Sequence, residues 1–141
     1  MEPHLGKSHS YNLTQLFLPR HFCYFYAMEA EATPAKISID DFRKIALKVA
    51  TITAAEAHPN ADKLMVIQID LGGEQRQICA GIRNSYTAEE LVGKQIVVVT
   101  NLETAKLRGL ESQGMLLAAS DEGRVIIMTP EKSVQAGAQV K

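Results

Sequence analysis

Five runs of strand-forming residues follow one another between residues 45 and 120, and a capped helical segment interrupts them only between the third and the fourth. The runs are IALKVATITAAEA, KLMVIQIDLG, RQICAGI, QIVVVTNL and GMLLAAS. Their β-branched residues suit a pleated, half-buried surface. In the second run Val66, Ile67, Gln68, Ile69 and Asp70 carry the alternation of a half-buried strand. Gly72-Gly73-Glu74 is a turn signal, so 63–82 is expected to form a hairpin. The interruption is SYTAEELVGK, with Thr87 as N-cap, Glu89 and Glu90 in the first turn and Gly93 to end it. A shorter helix, capped by Ser38 or Asp40 and running through Phe42 and Lys44, is expected ahead of the first strand. Beyond the fifth run lies another, RVIIMTP, and then the weakly alternating tail EKSVQAGAQVK. An added strand with unpaired backbone groups is a liability, so the N-terminal helix or a second copy of the chain is expected to cover it.

That order predicts an all-β fold, a five-stranded oligonucleotide-binding barrel (OB-fold) with short helices and a C-terminal extension. In such a barrel the strand 2–3 face and the loops joining strands 1–2 and 4–5 carry ligands. HPNADKL at 58–64 and NLETAKLRGLESQGM at 101–115 fall on those two loops. Lys63 is a charge at the exit of the first loop that can meet a phosphate, or a solvated lysine. His58, next to Pro59, reads as a capping or packing histidine, with no nucleophile–carboxylate pair beside it to make a triad. In the second loop Asn101 can offer donor and acceptor to a base edge or ribose. Lys106 and Arg108 are two apart, which in extended backbone puts both on one side, facing successive phosphates. Ser112 can donate to a phosphate or ribose oxygen, and Met115 can offer a polarizable surface to an unstacked base. Arg76 on the 2–3 hairpin, and Arg83 and Lys94 flanking the helix, could extend the patch.

The chain's 15 Lys+Arg against 16 Asp+Glu exclude a polycation, so any nucleic-acid affinity must be local, modest and salt-sensitive. Aromatic residues are concentrated before Met28, leaving Phe42 and Tyr86 in the rest of the chain. A sequence-tolerant single-strand binder stacks bases on interleaved aromatics, so this scarcity favours a folded RNA read by shape and phosphate geometry. The same break divides the chain into an N-terminal extension and linker over 1–36 and a domain over 37–141. Cys23 and Cys79 form no metal-ligand pair and no disulfide framework, which is in keeping with a reducing cytoplasm. No apolar stretch is long enough to span a membrane. No phosphate-cradling glycine loop, metal-spaced cluster or nucleophile–base pair is present, so no catalytic residue, metal or cofactor is expected.

The ordered segments ISIDDFRKIALKVATITAAEAHPNADKLMVIQIDLG, QICAGI, EELVGKQIVVVTNL, AKLRG and ESQGMLLAAS resemble the tRNA-binding domain family over residues 37–141. That family includes the C-terminal appendage of methionyl-tRNA synthetase, free-standing tRNA-binding proteins and the endothelial monocyte-activating polypeptide domain. The resemblance implies an OB-fold that binds tRNA by shape, and a homodimer paired through the N-terminal helix and C-terminal extension. It implies RNA contacts at Asn101, Lys106, Arg108, Ser112 and Met115, with Lys63 nearby. It also implies a module that acts free-standing or as an accessory to methionyl-tRNA synthetase, rather than as an enzyme. A secretion chaperone built on a related dimeric barrel sets the alternative: binding of unfolded exported polypeptide, without tRNA.

Overall fold

The structure, a computed structural model, describes residues 33–141. The aromatic stretch over 1–27 lies outside the described residues. The sheet lies within one compact unit, Ser38–Lys141.

Helix α1 (Ile39–Phe42) starts where expected, with the Ser38 hydroxyl accepting from the Asp41 N–H at 3.0 Å. Strand β1 (Leu47–Ala57) follows, then β2 (Met65–Asp70) and β3 (Gln75–Ala80). The last two form the predicted hairpin, in register from Met65↔Ala80 to Asp70↔Gln75. Helix α2 (Ala88–Leu91) is held by a full capping box between Thr87 and Glu90. The Thr87 backbone N–H and then its hydroxyl bind the Glu90 carboxylate and hold its pKa below the ordinary range. Strand β4 (Gln95–Val99) returns beside β1, from Leu47↔Val99 to Thr51↔Gln95.

Strand β1 is long, pairs on both of its edges and is bulged. The N-terminal half of β1 pairs with β4 and its C-terminal half with β2, with a register shift between Ile52 and Ala54. A bulge bends and twists its strand, which here curls the sheet into a half-barrel. Inside it Ala50, Ile52, Ile67, Ile69, Ile78, Ile96 and Val98 are almost wholly buried, and Leu91 of α2 adds to the same core. The resulting order, β3-β2-β1-β4-β7 with β7 at Met115–Leu116, is OB-like, as the strand order predicts. Side chains help close the seam between β3 and the segment before β7. The Gln113 N–H donates to the Gln77 carbonyl (2.8 Å), and the Gln77 N–H donates to Gln113 Oε1 (3.1 Å).

Three expectations are corrected. The segment between the fourth and fifth strands is no simple loop: β5 (Ala105–Leu107) and β6 (Leu110–Ser112) make a separate hairpin within it. The fifth run splits after β7, and its remainder, β8 (Ala118–Asp121), pairs with β9 (Arg124–Ile127). The added strand β9 is therefore covered within the chain. Its far edge donates from Val125 N–H to Ser85 Oγ (3.1 Å) and from Ile127 N–H to Tyr86 Oη (3.1 Å). This also engages the hydroxyl of Tyr86, one of the two aromatic residues after Met28.

The tail is part of the sheet. Strand β10 (Gln139–Val140) pairs with the start of β1, and the Gln95 amide both donates to and accepts from the Val134 backbone.

Candidate nucleic-acid interface

The segments 58–64 and 101–115, far apart in sequence, meet in the fold. His58 closes the first: its backbone N–H donates to the Leu64 carbonyl (3.0 Å), and its Nδ1 accepts from the Asn60 N–H (3.0 Å). An imidazole nitrogen that accepts leaves the proton on the other one. Nε2 therefore donates to the Leu107 carbonyl of β5, 2.9 Å away, and the ring is buried at 2% exposure. A neutral histidine thus joins the two segments.

Around that junction are four exposed cations. Lys106 and Arg108 flank Leu107, and Lys63 ends the first loop. Arg83 reaches the same loop, its N–H donating to the Lys63 carbonyl and its guanidinium to the Ala61 carbonyl, both at 3.4 Å. Among the described residues, no carboxylate lies within ion-pair distance of any of the four. Lys94, also a candidate for the patch, sits instead in the turn between α2 and β4, where its N–H donates to the Leu91 carbonyl.

Arg108 is not in extended backbone, so the expected alternation with Lys106 is corrected. Leu107 pairs with Leu110, and Arg108 (φ 52°) and Gly109 (φ 94°) form the two-residue turn between them. Positive φ at both central residues is the requirement of the hairpin turn that Asn-Gly satisfies best. A longer side chain in the left-handed region costs about 1–2 kcal/mol. Arg108→Asn is therefore expected to stabilise the domain by about 1 kcal/mol, measured by chemical denaturation. An unchanged midpoint would show that the turn carries no such strain.

Three other expected contact residues bond to the chain itself, mostly to its backbone. Asn101 Oδ1 accepts from the Ala46 N–H (2.9 Å), and its Nδ2 donates to the Lys44 carbonyl (2.6 Å). Ser112, 4% exposed, accepts from the Cys79 N–H and donates to the Gly114 carbonyl, both at 3.0 Å. Arg76 donates to the Glu74 carboxylate (2.7 Å) and to the carbonyls of Thr100 (2.7 Å) and Gln113 (3.2 Å). These three side chains shape the loops; Ser112 is buried, whereas Asn101 also stays exposed.

Met115 is 49% exposed and lines a groove of about 400 Å³ with Cys79, Ile82, Leu116 and Val125, at the seam beside β3. Burial pushes the Cys79 thiol up, which keeps it protonated and a poor nucleophile. Among the described residues no group of three or more His, Cys, Asp or Glu side chains is placed to hold a metal. The arrangement is suited to binding an anion-rich surface.

A family model described as "Putative tRNA binding domain" matches residues 47–139. The methionine–tRNA ligase of Thermococcus kodakarensis is 50% identical over 105 residues, covering 74% of this chain and 14% of the ligase. That of Methanococcus aeolicus is 54% identical over 104 residues, covering 74% of this chain and 15% of the ligase. The matched part is thus a small fraction of those enzymes. A methionyl-tRNA synthetase-related protein from Pyrococcus horikoshii has the same fold at a TM-score of 0.72 and 37% identity, covering 77% of this chain and all of that one. The chaperone CsaA of Bacillus anthracis superposes at 0.71 with 28% identity, covering 76% of this chain and all of its own.

Proposed function

Because the chain belongs to the tRNA-binding domain family, we propose that it binds folded tRNA through shape and phosphate backbone, free-standing or as an accessory to methionyl-tRNA synthetase. The observation that carries this reading is the gathering of Lys63, Arg83, Lys106 and Arg108 around one junction, without ion-pair partners among the described residues. Exposed cations of this kind neutralise phosphates and release counterions, a contribution that depends on geometry and salt rather than on base identity. The scarcity of free aromatic faces in the described domain fits a duplex-like, structured partner. The chain's contribution is to raise the local concentration of tRNA near a synthetase, with no chemistry of its own. A cytoplasmic location belongs to this reading.

The protein acts as a homodimer in the same reading. Helix α1 has no buried residue, and Ile39 and Phe42 lie exposed three apart along it. Ile45 and Leu102, also exposed, adjoin residues that the Asn101 clamp draws together. An apolar patch of this kind on a small domain favours a protein contact.

The similarity to the chaperone and the apolar groove beside Met115 favour a second reading, the binding of extended polypeptide. A titration separates the two. Labelled tRNA is added to the protein over a series of salt concentrations, with and without an unfolded polypeptide as competitor. Saturable binding is expected, with log K falling linearly against log salt and no displacement by the polypeptide. Polypeptide binding in the absence of any tRNA complex would overturn the RNA reading in favour of the chaperone one.

A further inference from the structure

We infer that His58 is a positioning residue for the cationic hairpin, holding Lys106 and Arg108 in fixed relation to Lys63 without contacting the ligand. This inference rests on the RNA reading above for its consequence, but not for its mechanics.

The hairpin β5–β6 is attached at two places. At its base, Ser112 is bonded to Cys79 and Gly114, and the Gln77 Nε2 donates to the Glu111 carbonyl at 2.9 Å. Near its tip the His58 bond to the Leu107 carbonyl attaches the strand that carries the cations. Ala105 and Lys106 are exposed and Leu107 is only partly covered, at 36% exposure, so packing alone holds that strand less firmly than the buried strands of the sheet. Without the histidine the hairpin would pivot on its base. The tip charges would then be spread over a wider volume.

The bond is placed where a small shift matters. Leu107 lies between Lys106 and Arg108, so fixing its carbonyl fixes both neighbouring side-chain origins. On the other side, the same ring accepts from the Asn60 N–H, and its backbone closes the loop onto Leu64, next to Lys63. One imidazole therefore references both charged segments to each other across 49 residues of sequence. Ordering charges before binding removes part of the entropy that association would otherwise cost. The imidazole is buried and the bond part-buried, so its loss would leave the Leu107 carbonyl with only partial access to water.

Two substitutions isolate the cross-loop bond. His58→Asn retains a short polar side chain that can accept from the Asn60 N–H, an arrangement favoured in turns, but it is too short to reach Leu107. His58→Gln has the longer reach and can still donate to that carbonyl. Backbone amide exchange is followed across 105–112 and across β1 and β2 in each variant without RNA, and tRNA affinity is then measured separately.

In His58→Asn, exchange in the hairpin is expected to quicken about tenfold, roughly the worth of one hydrogen bond, with β1 and β2 unchanged. Its tRNA affinity is expected to fall by a similar factor, about tenfold, and His58→Gln to recover most of both losses. Hairpin exchange as slow in His58→Asn as in the parent chain would overturn the positioning role. So would a loosened hairpin that binds tRNA with parental affinity. Absence of tRNA binding by the parent chain itself would overturn the function proposed above, while the exchange data would still decide whether His58 couples the loops.

Discussion

Replacing Lys63, Lys106 and Arg108 together with alanine is expected to lower tRNA affinity on the order of a hundredfold near 0.1 M salt. It should also flatten the salt dependence by about 2–3 units of slope. Each cation that neutralises a phosphate contributes about 0.7–0.9 to the slope of log K against log salt, so removing three such charges at once gives a change well beyond measurement error. All three side chains are exposed, and none has an ion-pair partner among the described residues. Their removal should therefore leave the fold intact, which circular dichroism of the variant checks. Alanine at Lys94, in the turn between α2 and β4, removes one positive charge from outside the junction and should change the slope little. A triple variant with the parental slope would place the phosphate-binding surface elsewhere on the molecule.

The largest expected loss of stability lies away from the charged loops. Gly137→Ala is expected to cost about 2–4 kcal/mol, read from the midpoint of chemical denaturation. Gly137 has a φ of 91°, in the left-handed region, and a methyl group built there would overlap the Leu71 carbonyl oxygen. Gly72 faces it in mirrored fashion: φ is 86°, and a methyl there would overlap the Ala136 carbonyl oxygen. Two stretches of backbone approach so closely that neither tolerates a side chain. This approach seats the tail, whose Gly137 N–H donates to the Val49 carbonyl (2.7 Å) and whose Ala138 carbonyl accepts from the Val49 N–H (2.8 Å). Alanine must either strain the backbone or separate the tail from the edge of β1. A denaturation midpoint unchanged from the parent would show that the tail is not coupled to the rest of the sheet.

The elements legible in the sequence depend on neighbours close along the chain. The hairpin over 63–82 follows from its alternation and two glycines, and the capping box of α2 from Thr87 and Glu90 three residues apart. The second hairpin, β5–β6, hides in a segment with the composition of a loop. Arg108 stands where a turn of that kind favours Asn or Gly, and three-residue strands with no buried residue in β5 lack the apolar pattern that marks a strand. The roles of Asn101, Ser112 and Arg76 are obscured for a related reason. Their residue types suit a ligand as well as they suit a backbone clamp, and only their partners distinguish the two uses.

Strand order, the barrel class and the two charged segments are properties of local pattern, and the chain states them without reference to its folded form. The convergence of those segments is different in kind. It depends on a bulge in β1, on a hairpin folded back to within 2.9 Å of His58, and on Arg83 arriving from beyond β3. Pairings between residues so far apart along the chain leave no periodic trace in it, because any sequence separation can be closed once the sheet curls. Pattern therefore sets which charges are available, and long-range packing selects which of them stand together.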